Sequence, residues 1–473
     1  MSFNPFTEKC IPLEKTFMNW DTMQPKSYNK ESTDPYTKCR IVLMNGTEFE
    51  AQWFTHNFTR HMPDNELRKE LAVLRRGEQQ QQKRISALKP KNETILEHTI
   101  TYEQLAVDLT CALAKMEKDK DVKNALDFAL LEDFDHLYRY GNLLYQEYGI
   151  YPEKLVGCFT EMTPGRPTIS EHRHPADSVF RYIDNKTADL QTKLNVGIIT
   201  AAEQQTMNYY MNVANLYDIS DIGRRLYQEI GMIEEQHVTQ YGSLMDTRAT
   251  WLECLLMHQY TECYLYYSNL MTESDPYIRN FWEECLIQEI AHLNYAKDLL
   301  WKYEKKTYQE VVGDGTFPSV LDLGSNIDYV RDVLATSVGN TQKDEYIVPL
   351  GTLNENDRFF IYQDIVNTPA DSVASHKVIE RGIRAEGKDY RFEIAPNPVE
   401  FLRDRTKDNT TLGRVPEDTP PELSRCGTSD FGYKNPFEIK AARAAQDIEE
   451  RILENHIYDL SDSDVKNNLR HQF

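Results

Sequence analysis

Between residues 101 and 303 apolar side chains recur at three- and four-residue spacing, with few glycines or prolines to interrupt them. That is the pattern of helices that bury one face. It predicts helices over 101–116, 122–148, 188–217, 220–245, 250–272 and 276–303. Ser220 suits an N-cap and Pro276 a first helical turn. A segment of about 40 residues with Pro152, Pro164, Pro167 and Pro175 separates the second helix from the third, enough to carry the chain along a bundle.

The flanks read differently. Residues 1 to about 62 mix aromatics and prolines with two β-like runs, 40–44 and 49–54, around an Asn45-Gly46 turn, so an irregular segment with one hairpin is expected. From Pro63 to Leu88 a polar helical pattern containing Gln79 to Gln82 predicts an exposed helix. After Lys306 turn residues return; β-like runs at 346–350 and 390–394 and a charged helix near 437–455 suggest a wrapping arm or subunit contact. The expected organisation is mainly α: an N-terminal irregular segment plus exposed helix over 1–95, a helical bundle over 96–305, and an irregular C-terminal region over 306–473 with short strands and one helix.

Charge and cysteine usage narrow the function classes. With 53 Lys and Arg against 75 Asp and Glu in 473 residues, the formal net charge is −22, which argues against a general nucleic-acid binder. The most apolar stretch, 252–271, is broken by Glu253, His258 and Glu262, so no membrane span is expected. Residues 1–9 lack the basic-then-apolar plan of a signal peptide, and a cytoplasmic protein is expected. Eight scattered cysteines without a Cys-x-x-Cys argue against a zinc ribbon, a rubredoxin-type iron site and a disulfide framework. No haem, flavin or nicotinamide motif is legible.

The chemistry lies in the helices. Glu234-Glu235-Gln236-His237 and Glu289-Ile290-Ala291-His292 each place a carboxylate and an imidazole three residues apart on one helical face, and Asp133-Phe134-Asp135-His136 is a shorter relative. One such spacing means little in a chain with 12 His and many Glu. A mirror relation across each hairpin gives it weight, because antiparallel helices bring positions equidistant from a turn to one height. Glu103 and Asp133 are each 15 positions from residue 118, and Glu203 with Glu234, and Glu262 with Glu289, are related in the same way. Two such hairpins supply four carboxylates and two imidazoles, the ligand set of a carboxylate-bridged dinuclear centre. The wording around two lone glutamates repeats, Tyr102-Glu103-Gln104 and Ala202-Glu203-Gln204. Glu171-His172-Arg173-His174-Pro175 is a dense polar cluster suited to a site mouth, although its own Glu-x-x-His spacing reads as coincidence.

Over about residues 100–305 these motifs resemble the ferritin-like di-iron carboxylate superfamily, which includes rubrerythrin, the ribonucleotide reductase small subunit and methane monooxygenase hydroxylase. The stretches 130–138 and 165–175 resemble an uncharacterised branch of it. The resemblance implies a four-helix bundle extended by an extra helical hairpin, with Glu103, Asp133, His136, Glu203, Glu234 and His237 in the metal positions. The family usually has Glu where this chain has Asp133, so Glu132 is an alternative ligand. Glu262, Glu289 and His292 form a second candidate set, able to replace one hairpin or to be a relic of duplication.

The resemblance also implies two iron ions, or an iron–manganese or dimanganese pair, that activate dioxygen or peroxide. An oxidase or oxygenase acting on an organic substrate is expected; the alternatives are a scavenging peroxidase of the rubrerythrin type and a non-catalytic, metal-stabilised scaffold. Electrons would come from a separate donor protein, and a homo-oligomer fits the family. Tyr102, Tyr140, Tyr210 and Tyr241 lie near the ligands as pocket or redox residues.

Overall fold

The computed structural model describes residues 3–162, 171–337, 339–369 and 372–386. The protein is mainly α, and among the described residues eight long helices pair in chain order as four hairpins. They are α1 (Pro35–His61) with α2 (Asn65–Ser86), α3 (Ile95–Met116) with α4 (Lys120–Tyr148), α5 (Leu190–Leu216) with α6 (Asp221–Ser243), and α7 (Trp251–Thr272) with α8 (Pro276–Glu304). Every one starts at a side-chain cap: Asp34, Asp64, Thr94, Asp119, Asp189, Ser220, Thr250 and Asp275 each accept from a first-turn N–H. Such a cap contributes about 1 kcal/mol to its helix. The chain thus marks each start locally, while the buried faces decide which hairpins meet.

The hairpins assort into two groups of four helices. In one, α3 packs on α5 and α4 on α6; in the other, α1 packs on α7 and α2 on α8. Contacts of α1 with α3 and α5 join the groups through one continuous apolar core. No helix of the described residues is long and apolar enough to cross a membrane.

The N-terminal third corrects the expected hairpin. Residues 40–44 and 49–54 all lie within α1, and Asn45-Gly46 is helix interior rather than a turn. Residues Tyr36 to Met44 are all buried, Lys38 and Arg40 among them, so α1 shows no single apolar stripe, and its short apolar run Ile41 to Met44 does not by itself separate strand from helix. Gly46 is a close-approach glycine: a Cβ there would stand 2.9 Å from Gln205 Cβ on α5. The expected exposed helix is also packed, as α2 buries Leu67, Leu71, Leu74 and Ile85. Its glutamine tract is partly internal, with Gln80 exchanging hydrogen bonds with the Met18 backbone at 2.8 and 2.9 Å.

C-terminal to the hairpins, α9 (Ile327–Ser337) packs on α4 and α11 (Ala374–Glu386) on α4 and α6, with α10 (Arg358–Val366) between them in sequence. The β-like run near 346 is strand β2 (Tyr346–Pro349), paired antiparallel with β1 (Asn340–Lys343) in the register Asn340↔Pro349. Asp177 anchors this layer, accepting from Arg358 Nε at 2.7 Å and from the Asp344 N–H at 2.8 Å. The expected strand at 390–394 and helix at 437–455 lie outside the described residues.

Candidate metal centre

Six side chains from α3 to α6 converge at one height inside their group of helices. Glu103 comes from α3, Asp133 and His136 from α4, Glu203 from α5, and Glu234 and His237 from α6; each is at most 1% exposed. Their donor atoms form two sets, each with all members within 4.8 Å of one another. One set is Asp133, Glu203, Glu234 and His237; the other is Glu103, His136 and Glu234. Glu234 belongs to both.

The two imidazoles are oriented alike. His136 Nδ1 is 2.9 Å from Glu234 Oε1, and His237 Nδ1 lies 3.1 Å from Asp133, 3.3 Å from Glu234 and 3.6 Å from Glu203. Behind the rings, His237 Nε2 is 2.8 Å from Glu132 and His136 Nε2 is 3.6 Å from Glu171. A carboxylate on Nε2 keeps the proton there and turns the Nδ1 lone pair inward, as outer carboxylates do for metal-binding histidines. Glu132, the alternative ligand by sequence, is therefore a brace: it holds His237 from outside, while Asp133 faces the centre. Arg173 fixes Glu132 in turn, donating to it at 2.7 Å and to Gln240 at 2.9 Å.

Buried polar atoms that make no hydrogen bond collect here: Glu103 Oε2, both Glu203 oxygens, Glu234 Oε2 and His237 Nδ1. Orphaned donors of this kind in a dry interior are costly unless something binds them. The electrostatics show what the cluster does with protons. Burial raises Glu103 and Glu203 well above the ordinary carboxylate value, helped by Glu234 beside the first and Asp133 beside the second. Burial would raise Glu234 too, but hydrogen bonds to both histidines hold it far below that value. The imidazoles rise despite burial, His136 through Glu171 and Glu234, and His237 through Asp133 and Glu132. These groups could hold metal ions, and binding there would displace the protons that otherwise offset the carboxylates. The donor sets offer carboxylate oxygens and two imidazole nitrogens and no thiolate.

The chain matches no protein-family model, no curated protein and no solved structure. Geometry alone therefore carries the reading of this site.

Of the four tyrosines singled out by sequence, Tyr210 donates to Glu103 Oε1. Tyr102 turns elsewhere, accepting from Gln205 at 2.8 Å and stacking on Tyr209 with centroids 4.5 Å apart. The Tyr140 and Tyr241 hydroxyls are buried without a protein partner, and the Tyr241 ring lies 6.4 Å from that of His237. A cavity of about 500 Å3 lies between α5 and α7 under Lys193, Arg248 and Lys306, and none of the six converging residues lines it.

Glu262, Glu289 and His292 come together on α7 and α8, but they face α1 and α2 and so replace neither hairpin of the first group. The sequence put Glu171 and Arg173 in a polar cluster suited to a site mouth; they stand as outer supports, Arg173 of Glu132 and Glu171 of His136. One part escaped the sequence reading. Glu48 and Glu78 accompany the second set, and the same mirror rule finds them: each is 15 positions from residue 63.

Proposed function

We propose that α3 to α6 form a ferritin-like bundle holding a carboxylate-bridged pair of iron ions, or an iron–manganese or dimanganese pair. We propose further that the protein is a non-haem oxidoreductase using dioxygen or peroxide to oxidise an organic substrate. The observation that carries this reading is Glu234, shared by two buried donor sets that each contain an imidazole. Four carboxylates from four helices, with an imidazole three residues on in two of them, are what such bundles use. The long connection between α4 and α5 also falls where that fold crosses over.

When bound, the metal pair supplies two-electron redox chemistry toward dioxygen or peroxide. The chain's own residues supply the rest. Glu132 and Glu171 hold the imidazole Nε2 atoms, Tyr210 fixes one oxygen of Glu103, and the packed tyrosine layer keeps bulk water out. The unpartnered Tyr140 and Tyr241 hydroxyls are the groups placed to give or take a proton at the centre. With no Cys-x-x-Cys in the chain, electrons come from a separate donor protein.

One observation favours a second reading, peroxide or oxygen scavenging: the large cavity is not lined by the donors, and small reactants need none. Both are tested by loading iron anaerobically and following oxidation in wild type, Glu203→Ala and Glu234→Ala. Oxidation lost in both variants supports the centre, and unchanged metal occupancy and oxidation refute it. Peroxide turnover without an organic co-substrate selects scavenging. A redox-silent protein that unfolds on chelation is a metal-stabilised scaffold.

A further inference from the structure

The second group of helices repeats the first with one imidazole replaced by an amide and one aspartate by a glutamate. Glu48 on α1 and Glu262 on α7 correspond to Glu103 and Glu203; Glu78-x-x-Gln81 on α2 stands where the first group has Asp133-x-x-His136, and Glu289-x-x-His292 on α8 where it has Glu234-x-x-His237. The bracing is repeated too: Tyr266 on α7 donates to Glu48 Oε1 as Tyr210 on α5 donates to Glu103 Oε1.

Four carboxylates in this group are completely buried, and each keeps one oxygen without a protein partner: Glu48 Oε2, Glu78 Oε2, Glu262 Oε1 and Glu289 Oε2. Their other oxygens are held. Gln259 Nε2 donates to Glu78 Oε1 at 2.8 Å and to Glu262 Oε2 at 2.7 Å, while His292 Nδ1 is 2.8 Å from Glu289 Oε1. The outer nitrogen, His292 Nε2, is 3.4 Å from Thr16 Oγ1 and lies against Gly77, where a Cβ would stand only 2.6 Å away. The imidazole reaches its position because α2 has no side chain there. Among the described residues, no lysine or arginine pairs with any of the four carboxylates. Four acids around one imidazole in a dry interior require neutralisation by protons or by a cation.

We infer that the α1–α2–α7–α8 bundle contains a second, mononuclear site for a divalent transition-metal ion such as manganese(II) or iron(II), held by Glu78, Glu262, Glu289 and His292. Gln259 is its outer brace, leaving one oxygen of Glu78 and one of Glu262 for the ion. The site takes one ion rather than two because Gln81 replaces the second imidazole: its amide nitrogen donates to the Cys285 carbonyl at 3.4 Å, and only a neutral amide oxygen remains. Among the described residues, the sets of three or more donor atoms that all lie within 4.8 Å of one another belong to the first bundle; in the second bundle the side chains must draw together around an ion, which makes it the weaker binder. This inference stands on its own residues and does not require the first centre.

The test is manganese(II) titration of the full chain after chelation, with free ion counted by electron paramagnetic resonance and folding checked by circular dichroism. Wild type should bind a tight pair and one weaker ion. Glu234→Gln with His237→Gln should keep only the weaker ion, and Glu289→Gln with His292→Gln should keep only the pair. Gly77→Ala, which displaces the His292 ring, should weaken the single ion about tenfold or more. Gln81→His should add an ion, a gain that does not depend on the deletion variants folding. The inference is overturned if the weaker ion survives Glu289→Gln with His292→Gln, or if wild type binds the pair alone. A wild-type chain that binds one ion, lost only in Glu289→Gln with His292→Gln, would refute the dinuclear centre and support this site.

Discussion

Glu132 and Asp133 are adjacent in sequence yet lie on opposite sides of one imidazole, Glu132 2.8 Å from His237 Nε2 and Asp133 3.1 Å from Nδ1. A carboxylate that only orients a ligand should matter through affinity and not through stoichiometry. Glu132→Gln is expected to keep the number of ions in the first bundle and to weaken them about 10- to 100-fold. Asp133→Asn is expected to lose an ion. Equilibrium titration with manganese(II) separates the two, and equal stoichiometric loss in both would make Glu132 a ligand.

Arg173 and Glu132 form a fully buried ion pair at 2.7 Å. Removing the cation alone takes away the guanidinium that offsets the buried Glu132 carboxylate and leaves His237 among its partners. Arg173→Met is expected to destabilise the metal-free protein by about 3–5 kcal/mol in urea unfolding. Adding Glu132→Gln should restore the larger part of that loss. A double variant as unstable as the single one would mean that Arg173 acts by packing rather than by charge.

The tyrosine layer should divide by hydrogen bonding. The Tyr140 hydroxyl has no protein partner, so Tyr140→Phe should be neutral or slightly stabilising, within about 1 kcal/mol. Tyr210→Phe removes the donor to Glu103 and should cost about 1–3 kcal/mol in the metal-free protein. Thermal melts of the two variants check this, and indistinguishable effects would contradict the assignment.

What the sequence disclosed follows physical lines. The six helices between residues 101 and 303 were legible from apolar side chains at three- and four-residue spacing with few glycines or prolines, although α3 and α4 are buried over most of their length, and the carboxylate and imidazole positions followed from i,i+3 spacing and mirror heights. Helix α1 was not legible: Ile41-Val42-Leu43-Met44 reads as a strand run, and Asn45-Gly46 reads as a turn until α5 is known to lie against Gly46. The roles of Glu132 and Glu171 could not be read from the chain either, because which side of an imidazole a carboxylate occupies depends on how α4, α6 and the 171–173 segment meet in space.

The C-terminal layer should loosen in acid. Burial acts to raise Asp177, but the hydrogen bond from Arg358 and the Asp344 N–H, with the charges of Arg358 and Lys343, hold it below the ordinary aspartate value. A folded-state value below the unfolded one means that the contribution is present above about pH 3.9 and is lost as the pH falls through the folded value. Amide protection across 340–366, the intrinsic exchange rate divided by the observed rate at the same pH, is therefore expected to be high at pH 6 and to fall below pH 3.9, and Asp177→Asn should lower it already at neutral pH. Exchange in the variant that matches wild type at neutral pH would contradict the anchor.

The most direct test of the dinuclear centre is Mössbauer spectroscopy of the full chain loaded with 57Fe under anaerobic conditions and then exposed to oxygen, in wild type and Glu234→Ala. The expected result is a spin-coupled iron pair in wild type, formed on oxygen exposure and absent from Glu234→Ala, with any iron in the second bundle appearing as an uncoupled component. Iron that is uncoupled throughout, or a coupled pair that persists without Glu234, would contradict it.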